Sequence, residues 1–226
     1  MVDDGSTDGT MDVVEHLAKS DNRIRRVKVN HGGRSVARNH GNLLANADII
    51  CVQDADDESL EKRAAITLDY FKNHPEIGMF YGGFFITDFL GKIIDQRTPI
   101  PFNYDRILKE SEQDFETIEK DCQIGKPPDG DGIKLIETGI GHGTMAYRKD
   151  VVSKFRYDEK GKFSKFGLDD WKLQVDVFNG GIKFGYTLQP LYFYRQLNNT
   201  VTATRNIFET LKTKKEFLKS YARTTV

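Results

Sequence analysis

The densest chemistry in the sequence is Asp54-Ala55-Asp56-Asp57, three carboxylates in four residues directly after the apolar run 49–52. On an extended backbone alternate side chains face the same way, so Asp54 and Asp56 point together while Asp57 turns elsewhere. Two aligned carboxylates at the carboxyl end of a strand are placed to hold a hard divalent cation, Mg2+ or Mn2+, through oxygen. In open α/β sheets that edge is where ligands bind. The bland alternative is a solvated acidic turn capping the next helix. Against it, three crowded carboxylates repel one another unless a cation or an arginine compensates them.

Four further groups of residues have the right chemistry for a site. Asp3 and Asp4, in Asp3-Asp4-Gly5-Ser6-Thr7-Asp8-Gly9, offer acceptors to a nucleobase N–H or a ribose hydroxyl; taken alone, the same stretch is only a turn with an N-cap. Arg34 and Arg38 could offset diphosphate charge, or merely solvate a helix. Asp169 and Asp170 head an amphipathic stretch, where the helix macrodipole favours a carboxylate and keeps it ionised, so each is either a weak base or a cap. His142, between Gly141 and Gly143, either touches a ligand or is a structural histidine.

The elements that must carry these groups alternate. Ser6, Thr7 and Asp8 are N-cap types, and Val13, Val14, Leu17 and Ala18 mark one face of a helix after them. A strand is expected over 24–29, a helix over 34–45 after the turn His31-Gly32-Gly33, and a strand over 49–52. Leu60, Ala64, Leu68 and Phe71 recur at helical spacing up to His74-Pro75, and 77–86 reads as a buried strand. This is the pattern of an open α/β sheet with crossover helices.

From 97 to 135 the pattern weakens into Pro, Gly and acidic residues around a polar helix at 104–119, as in an insertion or lid. It returns with an apolar run over 140–147, a helix in which Trp171, Val175 and Phe178 share a face, strands over 183–188 and 191–194, and a final helix over 207–221.

Composition narrows the classes. The 33 basic and 34 acidic residues among 226 nearly cancel, so there is no global positive field for a nucleic-acid backbone or an anionic membrane. Cys51 and Cys122 make neither a disulfide framework nor a metal-ligand spacing, which fits a reducing compartment, the cytoplasm by default. No run approaches the ~20 apolar residues of a membrane span, so any association with the inner membrane face would be peripheral.

Asp3-Asp4-Gly5-Ser6, Ala37-Arg38-Asn39-x-Gly41 and the Asp54 cluster, in that order, resemble the nucleotide-binding half of family 2 glycosyltransferases, which have the GT-A fold. Gly167-Leu168-Asp169-Asp170-Trp171 looks like the family's acidic catalytic pair. Gly141-His142-Gly143-Thr144 before Met145-Ala146-Tyr147-Arg148 looks like its acceptor-side strand and turn. Tyr192-Phe193-Tyr194-Arg195 with Asn199-Thr200 resembles the strand and arginine near the donor diphosphate. Leu197 and its neighbours supply no metal-binding histidine after that arginine, and no Gln-x-x-Arg-Trp of processive synthases occurs, so transfer of a single sugar is expected.

The resemblance implies an α/β fold: a GT-A type open mixed sheet flanked by helices. Residues 1–96 would bind the nucleotide sugar, 97–135 form the insertion, 136–206 complete the acceptor-binding and catalytic part, and 207–226 close the chain. Asp54 and Asp56, assisted by Asp57, would hold Mg2+ or Mn2+. Asp170 would be the base, with Asp169 as substitute. Asp4 and Asp3 would grip the nucleoside, Arg34, Arg38 and Arg195 the phosphates, and His142 and Trp171 would lie on the acceptor side. The reaction implied is inverting transfer from a nucleoside-diphosphate sugar to an acceptor hydroxyl, in cell-envelope or capsular polysaccharide synthesis.

Family members carry a strand, a helix and most of a second strand before the Asp-Asp-Gly-Ser loop, whereas here Met1-Val2 alone precede it. The fold is therefore expected to be N-terminally truncated, with the edge of 49–52 exposed and open to pairing in a homodimer. Two other readings stand beside this one: a non-catalytic fragment binding a nucleotide sugar or a partner chain, and a sugar-phosphate nucleotidylyltransferase, whose glycine-rich phosphate loop is not visible.

Overall fold

A computed structural model describes residues 1–103, 109, 140–165, 167–196 and 207–222. The expected helix over 104–119, nearly all of the segment 97–135 beyond residue 103, and Asn199-Thr200 lie outside the described residues. Among those described, no helix is long and apolar enough to cross a membrane.

The strands are β1 (Val2–Asp3), β2 (Val27–Lys28), β3 (Ile49–Cys51), β4 (Glu58–Ser59), β5 (Ile77–Thr87), β6 (Ile93–Arg97), β7 (Ala146–Arg148) and β8 (Lys183–Arg195). The helices are α1 (Thr10–Ser20), α2 (Arg34–Leu44), α3 (Arg63–Asn73), the short α4 (Lys149–Lys154) and α5 (Lys162–Lys165), α6 (Asp169–Asn179) and α7 (Ile207–Ala222). The main sheet runs β3-β7-β5-β8-β4, with β6 also paired to β5. Only β5 and β8 run parallel within it; every other pair is antiparallel. This is the open mixed sheet with helices that was expected.

Strand β5 holds the core because it is buried on both faces from Ile77 to Gly83. Its alternate side chains divide the interior. Met79 and Tyr81 pack with Met145, Tyr147, Leu173 and Val177 on the α6 side. Phe80 packs with Phe71, Leu191 and Tyr192 on the α3 side. The two strands expected over 183–188 and 191–194 are one, β8, whose register against β5 slips where Gly83 faces Pro190. An unpaired residue at such a slip bends the strand and re-aims the residues beyond it, here Tyr192 to Arg195.

Two helical faces differ from the expected ones. In α1 only Val14 is buried, while Val13 and Leu17 stand 60% and 48% exposed, because the neighbouring sheet of β1 and β2 has just two strands of two residues each. In α3 the inward face is Arg63, Thr67 and Phe71, one residue before the predicted Ala64 and Leu68, which are exposed. The rotation brings the Arg63 guanidinium onto the backbone carbonyl of Val52, 2.6 Å away. A polar side chain thus takes a position that apolar periodicity reserves for leucine.

The β1–β2 pair is a separate sheet. Among the described residues, β3 pairs with β7 on one side and with no strand on the other, so the edge of 49–52 is open as expected. Helix α2 spans the interruption, packing on both β1 and α4.

Close approach of β5 and β8 permits no side chain at Gly82, where a Cβ would lie 2.5 Å from Leu191 Cδ1 and 3.1 Å from the Gln189 carbonyl oxygen. Gly82→Ala is expected to cost about 1–3 kcal/mol through overpacking, read as a lower midpoint in thermal unfolding.

Candidate functional site

The carboxyl end of β3 opens into the acidic loop, and the loop's shape is set from below. The Gln53 amide donates to the carbonyls of Asp54 and Asp57, at 2.9 and 3.0 Å. Arg63, 4% exposed, donates to the Val52 carbonyl, to Gln53 Oε1 and to Ser59 Oγ. No carboxylate pairs with Arg63 among the described residues, and burial pushes its pKa down. It is a buried cation directly beneath three acidic residues.

Those three carboxylates have different surroundings. Asp54 Oδ1 accepts from Arg38 Nη2 at 2.9 Å, and its Oδ2 is 3.2 Å from His142 Nδ1. Burial alone would raise the Asp54 pKa, but His142 and Arg38 outweigh it and hold the carboxyl well below the usual range. Asp57 has both oxygens engaged, Oδ1 by the Arg195 backbone N–H at 2.7 Å and Oδ2 by the Tyr192 hydroxyl. Burial raises the Asp57 pKa, as do the charges of Asp56 and Asp54. Asp56 is exposed and has no hydrogen-bond or ion-pair partner among the described residues. Of the three carboxylates expected to share a cation, it alone is free of protein contacts.

Across from this loop lies the amino-terminal end of α6. Asp169 is fully buried, its Oδ1 accepting from Arg34 Nε at 2.9 Å and also from Arg34 Nη2. Its Oδ2 accepts from Ser35 Oγ at 3.0 Å and from Arg38 Nη1 at 2.9 Å. Burial works against ionisation, but the two arginines prevail and keep the Asp169 pKa low. Asp170, next in sequence, is half-buried, and its one recorded partner is the Trp171 backbone N–H, 2.8 Å from Oδ1. Every side-chain contact that would make Asp169 a substitute base is thus already committed to protein.

Helix α2 organises both ends. Ser35, Asn39 and Asn42 are its buried residues, a polar inward face in place of an apolar one. Asn39 exchanges hydrogen bonds with the Tyr157 backbone, at 2.9 and 3.0 Å, and Asn42 accepts from the Tyr147 hydroxyl at 2.9 Å. The turn that starts the helix is clamped by Asp4, whose two oxygens accept from the Gly32 and Gly33 N–H groups, each at 2.8 Å. Gly33 sits at φ +90°, a conformation suited to glycine. Asp4 therefore fixes backbone, whereas in neighbouring Asp3, 5% exposed, Oδ1 accepts from the Ser6 N–H and Oδ2 has no hydrogen-bond partner among the described residues.

His142 stands between Asp54 and Tyr157, with Nε2 3.0 Å from the Tyr157 hydroxyl. The neutral ring satisfies both contacts if Nδ1–H donates to Asp54 and Nε2 accepts from the tyrosine. Its side chain is 8% exposed, so its contacts are with protein. Trp171, expected on the acceptor side, is 5% exposed and packs edge-to-face on Phe217 of α7, with Lys214 over its ring. Its place is in the core. The Arg195 side chain has no ion-pair partner among the described residues.

Asn39, Tyr157, Arg63 and Tyr192 were not singled out as site residues by sequence. One signal was available: Ser35, Arg38, Asn39 and Asn42 repeat at helical spacing, marking a polar face.

No group of three or more His, Cys, Asp or Glu side chains converges on a common point among the described residues. The donor set nevertheless suits a hard cation that keeps several waters and uses one or two carboxylates plus substrate phosphates. Asp56 is a free carboxylate for it and Asp54 a neighbouring one.

The model of the family described as Glycosyl transferase family 2 matches residues 1–156. The chain belongs to this family. The family expected from the motifs is therefore the one found. Among sequence relatives, the uncharacterized glycosyltransferase MJ1057 of Methanocaldococcus jannaschii is 23% identical over 150 residues, 66% of this chain and 44% of that protein. The glycosyltransferase GlyG of Streptococcus pneumoniae serotype 4 is 34% identical over 101 residues, 38% of this chain and 33% of that one.

The fold resembles S. aureus TarS solved with UDP-GlcNAc, with a TM-score of 0.57 at 14% identity over 91% of this chain and 51% of that one. It also resembles the mannosyltransferase PcManGT of Pyrobaculum calidifontis solved with GDP-Man and Mn2+, at 0.55 and 15% identity over 89% and 48%. The chain thus spans less than half the length of these two sequence relatives and about half that of the two solved chains.

The paired Asp169 gives the domain an acid-sensitive link. A carboxyl whose folded pKa is depressed adds stability above its unfolded value near 4, and that stability is lost as pH falls through the lower folded value. Asp169→Asn is expected to cost about 3–5 kcal/mol at neutral pH, since it strands the Arg34 guanidinium and takes one of two carboxylates from Arg38. Urea unfolding measured from pH 7 down to about pH 3 should show a shallower acid limb in the variant than in the parent.

Proposed function

We propose that this domain transfers a single sugar from a nucleoside-diphosphate sugar to an acceptor hydroxyl, with inversion at the anomeric carbon. The observation that carries this reading is the continuous chain of contacts Asp54–Arg38–Asp169. It ties the acidic loop to the amino-terminal end of α6, beside an Asp170 carboxylate that no arginine or lysine neutralises among the described residues. Donor-side charge handling and a candidate base are thereby parts of one rigid unit.

Asp170 takes the proton of the acceptor hydroxyl as that oxygen bonds to the anomeric carbon. The bond from that carbon to the diphosphate oxygen breaks on the opposite face, and the nucleoside diphosphate leaves. Asp56, with Asp54 beside it, would hold Mg2+ or Mn2+, which when bound neutralises charge growing on the leaving diphosphate. Arg195 supplies a further cation for the phosphates. Asp3 would accept from a nucleoside N–H or hydroxyl, as the family resemblance implies, while Asp4 holds the turn before α2. The donors solved with TarS and PcManGT support the nucleotide-sugar class. Envelope or capsular polysaccharide as the product, in the cytoplasm or at the inner membrane face, is supported by the family resemblance.

The open edge of β3 supports a second reading, in which the domain self-associates through that edge and transfers nothing. Calorimetric titration with UDP and with GDP, each with and without Mn2+, separates the two. Metal-dependent binding that vanishes in Asp56→Ala is the expected result; dimerisation in sedimentation runs without any nucleotide affinity favours the alternative. Asp170→Asn is expected to lower transfer by about 10²–10⁴-fold, the usual contribution of a general base, with donor affinity unchanged. Retained transfer would remove Asp170 from that role.

A further inference from the structure

We propose that Arg38 is a positioning residue which sets the acidic loop and the amino-terminal end of α6 at a fixed separation, and not a ligand of the donor phosphates. This rests on the reading of Asp170 as base given above.

The two terminal nitrogens of the Arg38 guanidinium point to different carboxylates, Nη1 to Asp169 Oδ2 and Nη2 to Asp54 Oδ1, both at 2.9 Å. These partners lie 131 and 16 residues away along the chain, in different parts of the fold. A planar fork with fixed donor directions turns two such bonds into a spacer of one length. Its side chain is 19% exposed and stacks 5.5 Å from the Tyr157 ring centroid. That tyrosine also meets His142, the other group holding Asp54.

The carboxylates are therefore gripped from both sides by groups that are themselves fixed. Both terminal nitrogens of Arg38 thus already serve protein carboxylates, which offset the charge that a diphosphate would otherwise meet. Arg34 differs. Among the described residues it serves Asp169 alone, and it is 33% exposed, so it bears on one end of the spacer.

The spacer sets the position of Asp170 relative to Asp54 and Asp56. Asp170 comes directly after Asp169 on α6, so a shift of Asp169 carries the base with it. Misplacing a reacting group by about 1 Å costs on the order of 10²-fold in rate, whereas donor binding depends on Arg195 and on a loop that Gln53, His142 and the Asp57 contacts still hold.

Arg38→Lys separates the two roles. Lysine keeps a point charge that would still attract phosphate, but it has no fork to span two carboxylates. A positioning role predicts that kcat falls on the order of 10²-fold while KM and the calorimetric Kd for the donor nucleotide stay near the parent values. Loss of donor affinity with kcat preserved at saturation would overturn the proposal. Parent protein without metal-dependent nucleotide binding would instead sink the functional reading on which it rests.

Thermal unfolding of Arg38→Gln, Asp169→Asn and the double variant gives a second test. Losses in the double variant well below the sum of the single ones are expected, and strictly additive losses would refute a shared bond. If Arg38→Gln does not fold, the same cycle is run with Arg38→Lys.

Discussion

One guanidinium shared between two carboxylates governs the arrangement of this domain. Ionised side chains taken out of water cost several kcal/mol each unless charge and hydrogen bonds are returned to them. Asp169 is fully buried and Asp54 about 30% exposed at the side chain, and Arg38 compensates both. Neither carboxylate can be relocated without leaving the arginine short of a partner. The fold therefore holds the carboxyl end of β3 and the start of α6 in register by electrostatics, where a hydrophobic contact would tolerate sliding. Ser35 and Arg34 fill the remaining acceptor positions of Asp169, so that no lone pair is left to invite water.

This constraint explains why α2 is built as it is. Most helices against a sheet turn an apolar stripe inward, yet the buried residues of α2 are Ser35, Asn39 and Asn42. Each is occupied with a group from the second half of the chain: Asp169, the Tyr157 backbone and the Tyr147 hydroxyl. Polar contacts of this kind are directional, so they fix the helix rotation as well as its distance. Such specification is needed here because β1–β2 and the main sheet are not joined by strand pairing. The helix is what carries the Asp3–Asp4 loop to the Asp54 loop.

The parts of the fold that sequence made legible were those whose burial obeys apolar period. The long strand β5 and helix α6 fall where apolar period places them, whereas α2 was placed by its turn residues and its polar buried face was not foreseen. Where polar groups face inward the reading failed. The α3 face is one residue out because Arg63 occupies a core position to bond the Val52 carbonyl, and apolar periodicity does not register an arginine. The site behaved likewise. The acidic residues were legible as types, but their division into anchored and free ones was not. That division is made by His142, Tyr192, Arg38 and the backbone of Arg195, which come from distant stretches of chain. Trp171 was placed on the acceptor side by the family resemblance, and its packing against α7 was not legible in sequence.

The division of labour among Asp54, Asp56 and Asp57 comes from the same balance of charge. Three carboxylates in four residues would raise one another's pKa values and splay the loop apart. Two are instead tied down, Asp54 by a cation and an imidazole and Asp57 by a hydroxyl and a backbone N–H, and the Arg63 charge lies beneath them. Asp57 is the less favoured of the two anchored anions, since burial and its acidic neighbours push its pKa up. Its bonds to Tyr192 and to the Arg195 backbone hold it in place, and they also lock the loop to the end of β8. With both ends of the loop fixed, the middle carboxylate needs no protein partner to keep its position. Asp56 is held out to solvent by the anchoring of its neighbours, as an anion whose coordination shell remains open to a ligand.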